Sequence, residues 1–161
     1  MTDIEPIKKN LKDGPLFLEN MLKEIPEGLL KERRIKGKWS IHEHACHLVD
    51  VQQMINARFI KFRDEEKPEV KPYLPGTNVA DDFLMELPLK ETVAKFTEFR
   101  EELLEIVADF DEQVWQKKVI HPEYEPFNPY IFLRHVMMHD HFHMYRIEES
   151  WLTNQAFLRI V

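Results

Sequence analysis

A single cysteine, Cys46, among 161 residues leaves no intrachain disulfide to form and no cysteine-based zinc module to build. Glycine is scarce as well, at four residues, which argues against glycine-rich loops that cradle phosphates. No apolar run approaches the roughly 18–20 residues of a membrane-spanning helix. The opening stretch, MTDIEPIKKN, carries no apolar signal region, so the chain is expected to stay unprocessed in the cytoplasm and away from membranes. Positive charge is also short: 22 Lys and Arg against 29 Asp and Glu give a net charge of −7. The densest basic run is Lys31-Glu32-Arg33-Arg34, and a nucleic-acid partner, which needs clustered Lys and Arg, is not expected. No internal repeat, low-complexity tract or linker interrupts the sequence, so residues 1–161 read as a single domain large enough to bury a core.

What is present is helical. No stretch reads as a convincing strand, while four carry apolar residues three and four apart. The first helix is expected to begin at Asp13-Gly14-Pro15, with Asp13 as cap and Pro15 in the first turn, and to end before Pro26. Glu27 to Leu30 adds a turn. Ser40-Ile41-His42-Glu43 is a capping box, with Trp39 placed to staple onto His44. The second helix then runs to Phe62 or Arg63, with His47, Val51, Met54, Ile55 and Arg58 on one face. From Asp64 to Asp82, Pro68, Pro72, Pro75 and Gly76 break any period. A third helix spans Pro88 to Asp109, and a second loop spans Asp111 to Asn128, with Val119-Ile120 as a fragment of extended chain. Asn128-Pro129 starts a fourth helix through Phe132, Val136, His139, His143 and Ile147. Four amphipathic helices with two long connections predict an all-α four-helix bundle.

Histidine is abundant, at eight residues. His42, His44 and His47 cluster in the second helix, and His135, His139, His141 and His143 in the fourth. Residues four apart on a helix differ by about 40° around the axis, so His139 and His143 point the same way one turn apart. Two imidazoles so placed can grip one divalent metal. A third ligand must come from another helix. His47 is the first candidate because it shares a face with Val51, Met54 and Arg58. His44, about 60° away, is its rival, and His135, one turn before His139, is the rival on the fourth helix. Three imidazoles leave coordination positions open, the ligand count of a catalytic site. Glu43 and Asp140 are near enough in sequence to orient them from behind. His42, His121 and His141 read as surface residues. Cys46 reads as a small buried hydrophobe. Arg58 and Arg100 fall at or beside apolar stripes, where each can pair with a carboxylate inside the bundle or meet a substrate anion.

Two motifs carry a family resemblance. Lys38 to Asp50 resembles the WS-x-x-E-x-x-x-H-L signature of the DinB-like superfamily, and His139-Asp140-His141-Phe142-His143 resembles its second signature, H-D-x-x-H. The resemblance extends over roughly residues 10 to 155. It implies an up-down-down-up four-helix bundle with one long crossover and a divalent metal, zinc or nickel among others, held by His47, His139 and His143. It also implies frequent homodimers. Characterised relatives include S-transferases and a maleylpyruvate isomerase that use a low-molecular-weight thiol, and many others are described only as metal-dependent hydrolases. Arg146 departs from the pattern, standing where many relatives carry Gln. It could bind an anion or pair with Glu43 or Asp50. The leading expectation is therefore a metal-dependent enzyme on small molecules, with an activated thiol or water attacking an electrophile. The competing expectation is a non-catalytic metal-binding or interaction bundle. A pocket open to solvent beside the histidines separates the two.

Overall fold

Each of the four periodic stretches is helical, the second as two helices end to end. The computed structural model describes residues 3–71, 82–154 and 156–157. Helix α1 spans Ile4–Glu24 and is followed by the single turn α2, Glu27–Leu30. Helices α3, Ile41–Asp50, and α4, Gln52–Asp64, abut at Val51. The short α5, Phe83–Glu86, precedes α6, Leu89–Ile106. The short α7, Glu112–Gln116, precedes α8, Pro129–Leu152. The described residues contain no strand, only an isolated parallel bridge between Glu69 and Ile120.

Contacts along the helices fix their directions. His44 meets His143 while His47 meets His139, so α3 and α8 are antiparallel. Cys46 lies against Thr92, and further along Asn56 donates to the Phe99 carbonyl, so α3–α4 and α6 run parallel. Tyr130 donates to Asp3 and His141 bonds Asn10, which makes α1 and α8 parallel. Ile7 and Leu11 share an apolar cluster with Leu103 and Val107, whereas Leu18 joins Val93 and Phe96, so α1 and α6 are antiparallel. This is the up-down-down-up bundle that the family resemblance implied. Parallel neighbours cannot be joined by a short turn, so the connection from α4 to α6 must travel back along the bundle. Its first residues are pinned to the second long connection: Val70 N–H donates to the Ile120 carbonyl and Ile120 N–H to the Pro68 carbonyl. The expected extended fragment at Val119-Ile120 is this bridge. Pro72, Pro75 and Gly76 lie outside the described residues.

Several local expectations need correction. Helix α1 begins nine residues before Asp13, which sits mid-helix paired with Lys9, and Pro15 is interior. The buried stripe Ile7, Leu11 and Leu18 decides the helix and outweighs the hydrogen bond that Pro15 cannot donate. The second helix is not continuous. The Gln52 side-chain amide donates to the Leu48 carbonyl, taking the acceptor that its own backbone N–H would use, and the ladder turns at Val51. Helix α6 stops at Ile106, three residues short of Asp109. The loop before α8 contains α7, capped by the Asp111 carboxylate on Val114 N–H, with Trp115 buried.

The core falls into two apolar clusters. One gathers Phe59, Phe62, Phe110, Trp115 and Phe132; the other gathers Leu18, Ile41, Leu48, Phe96, Met144 and Ile147. Between them in sequence, on α6 and α8, lie buried Arg100, Asp140 and His143, and buried His47 stands on α3 between Ala45 and Leu48 of the second cluster. Arg100 and Asp140 are 1% and 2% exposed and paired at 2.7 Å. Burial pushes the Asp140 carboxyl up to about 6, against the pull of Arg100, so it is still ionised at neutral pH. Removing one member of a buried pair strands the other charge. Asp140→Asn is therefore expected to lower the unfolding free energy by about 3–5 kcal/mol, read as a shift of the denaturant midpoint. The double change Arg100→Met/Asp140→Leu should recover most of that loss.

Candidate metal centre

The capping box sets the phase of α3 and so aims His47. Ser40 Oγ accepts from Glu43 N–H at 3.2 Å, and the Glu43 carboxylate accepts from Ser40 N–H at 2.8 Å. Arg33 locks the same carboxylate with two hydrogen bonds, at 2.6 and 2.9 Å. Trp39, just before the cap, packs its indole edge-on to His44, with ring centroids 5.4 Å apart. It also reaches His47 and stacks on His143. On the facing helix, Asn128 caps α8 by accepting from Ile131 N–H, with Pro129 in the first turn. That start sets the phase of His139 and His143, one turn apart on the inner face.

Three histidines converge. One ring nitrogen from each of His47, His139 and His143 lies within 4.8 Å of the others. The Nε2 atoms of His47 and His139 are 3.2 Å apart. Two nitrogens bound to one zinc ion at a tetrahedral angle lie about 3.3 Å apart, given metal–nitrogen distances near 2.0–2.1 Å. The separation therefore fits a shared divalent ion. His143 shares its Nδ1 in a 2.8 Å hydrogen bond with His44 Nδ1, which leaves Nε2 for the cluster. Burial, with the mutual repulsion of the rings, lowers the pKa of His47 to about 3 and of His143 to about 2. Burial and the Arg100 charge bring His139 to about 4. At neutral pH all three are uncharged imidazoles, the form that binds metal.

The other expected residues divide clearly. His44 does not join the three but backs His143, and burial with the nearby Arg146 charge lowers it to about 4. His135 stays exposed, edge-on to Tyr124. Glu43 serves the cap and Arg33, while Asp140 serves Arg100, whose charge reaches His139. Arg146 pairs with Glu149 one turn on rather than with Glu43 or Asp50. His141 is exposed, as expected, and bonds Asn10. His42 is not a surface residue. It is 2% exposed, because α5 packs over it with the backbone of Leu84 and Leu87. His121 is half-buried against Tyr124 and Phe127. Burial raises the Cys46 thiol to about 12, which rules it out as a thiolate nucleophile at neutral pH.

The three histidines lie in the wall of a cavity of about 510 Å³ that opens to solvent. The junction residue Val51 lines it with Met54 and Ile55 of α4 and Phe132, Val136 and Phe142 of α8, and the connection before α8 contributes His121, Glu123, Tyr124 and Phe127. Sequence periodicity could not identify these last four, since a loop has no period to read. Its only signal was length, because long connections in compact domains are uncommon unless they have a function.

Fold and site together define a class: an antiparallel and parallel mixed helical bundle with a three-histidine cluster in an apolar pocket. The chain belongs to the DinB superfamily, whose family model matches residues 17–147. Among solved structures it is similar to YfiT from Bacillus subtilis, described as "a probable metal-dependent hydrolase with an unusual four-helix bundle topology". The TM-score is 0.80 at 20% identity, covering 91% of this chain and 84% of that one, a likeness that establishes the fold. No curated protein matches the sequence at a significant level.

Proposed function

We propose that the protein is a divalent-metal-dependent enzyme acting on small molecules, with His47, His139 and His143 as the ligands and zinc or nickel as the metal. The observation that carries the reading is the convergence of three uncharged imidazoles on a pocket open to solvent. A bound ion would serve there as a Lewis acid, lowering the pKa of water or of a low-molecular-weight thiol so that it can attack an electrophile. The chain's own groups do the rest. Trp39 packs the rings from outside α3 and restricts their rotation. His44 holds the Nδ1 side of His143 and so orients its Nε2. The apolar walls seat the body of a small molecule and thin the water around the reacting end. The description given to YfiT supports hydrolysis, while the family resemblance supports thiol transfer; both use the same three ligands.

The pocket favours this over a non-catalytic bundle, for which a closed site would suffice. Protein purified without chelator is expected to hold close to one divalent ion per chain by elemental analysis. In a screen of small esters, amides and thiol–electrophile pairs, turnover should vanish with chelator and return with zinc or nickel. A parent protein that binds neither ion at neutral pH would end the reading and leave the interaction bundle.

A further inference from the structure

Arg58 has an unusual position among the described arginines. Arg33, Arg63, Arg100 and Arg146 are each paired with a carboxylate, and Arg34 donates to the Ser150, Trp151 and Thr153 carbonyls at the end of α8. Arg134 is exposed, over the Tyr130 ring. Arg58 is half-buried, lies over the Phe132 ring at 5.5 Å and donates to the Lys71 carbonyl. No carboxylate among the described residues is within ion-pair distance of it. Desolvation lowers its pKa with no opposing raising influence, the mark of a guanidinium whose charge is uncompensated. A guanidinium carries five N–H donors, and most of these are left for another partner.

The pocket is that partner's place. Arg58 and His47 both line it. His47 stands on α3 and Arg58 on α4, on either side of the turn at Val51, and the two helices present both side chains to the same cavity. Between them the wall is Val51, Met54 and Ile55, all apolar. Near Arg58 lie His121 and, within electrostatic reach of it, His135; Glu123 beside them is exposed and unpaired with Arg58. A cation at one end, an apolar wall in the middle and three imidazoles at the other end describe an elongated occupant with different ends.

We propose that the pocket takes a small molecule with an apolar body and a terminal carboxylate, the carboxylate seated on Arg58 and the opposite end presented to His47, His139 and His143. Arg58 is thus a specificity-determining residue. The inference rests on the proposed metal site for the meaning of the far end, whereas the anion seat itself is independent of metal. A carboxylate meeting a partly desolvated guanidinium gains charge-assisted, bidentate hydrogen bonds that a neutral amide of the same shape cannot make.

The test titrates the protein, both as purified and after chelator treatment, with benzoate, 3-phenylpropionate and octanoate and with the amide of each. Binding is read from the histidine-ring and Trp39 indole NMR signals. At least one carboxylate is expected to bind about tenfold or more tightly than its amide, the scale of a charge-assisted hydrogen bond. Arg58→Gln should erase that preference and Arg58→Lys should keep part of it, with both variants checked for unchanged thermal unfolding. Carboxylate and amide binding alike in all three pairs, or a preference that survives Arg58→Gln, would overturn the proposal. Metal content is measured on the same samples. An Arg58-dependent preference in a protein that binds no metal upholds the anion seat and rejects the metal reading; metal without the preference does the reverse.

Discussion

Replacing His143 with alanine is expected to abolish stoichiometric zinc or nickel binding. His143 is the ring that links the two sides of the site, since it follows His139 by one turn on α8 and packs on His47 across the bundle, with ring centroids 4.7 Å apart. Removing an outer hydrogen-bond partner of a ligand typically weakens metal affinity by about 10–100-fold. Removing the ligand itself should exceed that range. His44→Ala provides the internal comparison: it takes away the hydrogen bond to His143 Nδ1 but no ligand atom, so binding should persist with a loss inside the 10–100-fold range. His135→Ala should bind as the parent does, because His135 is exposed and outside the three-residue cluster. Calorimetric titration of the three variants, beside thermal melts that confirm folding, gives the order. If His143→Ala kept parent affinity while His44→Ala lost it, the ligand set would have to be reassigned.

Acid should destabilise the metal-free protein more than any single surface substitution could. Four buried or largely buried imidazoles, His44, His47, His139 and His143, have folded pKa values lowered to about 4, 3, 4 and 2, burial being the largest cause in each. Unfolded, each returns to about 6.5. Below that value the unfolded chain binds more protons than the folded one, so stability is full above about pH 6.5 and falls as the pH drops toward the folded values. At pH 5 each imidazole kept neutral corresponds to about 2 kcal/mol of lost stability. Asp140 opposes this between about pH 4 and 6, because its folded pKa is raised, but it is one group against four. Denaturant unfolding in the presence of chelator, between pH 7.5 and 5, should show a loss of several kcal/mol, and His143→Ala should flatten the slope. A midpoint independent of pH over that range would mean that these rings are not held neutral by burial.

Much of this was legible in one dimension because it depends on local rules. The Ser40 capping box and the Asn128-Pro129 start fix helix phase, and phase alone separates inward His139 and His143 from outward His141. Across helices the sequence is weaker. Position on α3 made His44 and His47 rivals, and only the crossing of α3 with α8 puts His47 against His139 and His44 behind His143. The misread start of α1 has a tertiary cause, as Asp13 and Pro15 form a good local cap signal that the buried Ile7 and Leu11 override. His42 was misread because α5, a four-residue helix after a long connection, covers it. Arg100 was read correctly as an internal pair, yet Arg58 took a carbonyl and a ring in place of a carboxylate. An arginine beside an apolar stripe says that charge is needed inside, and it does not say from where.

The two kinds of backbone around the pocket divide its duties. The histidines stand on long helices whose phases are fixed by caps and whose backs are packed into the core, so their spacing tolerates little drift. His121, Glu123, Tyr124 and Phe127 stand on a connection tied down mainly at Val119, Ile120 and Phe127. Insertions and substitutions between those ties can redraw the entrance without disturbing the floor. The rim of the pocket and its histidine wall are therefore written in separate stretches of chain, and the shape of the mouth is free to vary while the imidazole spacing is held.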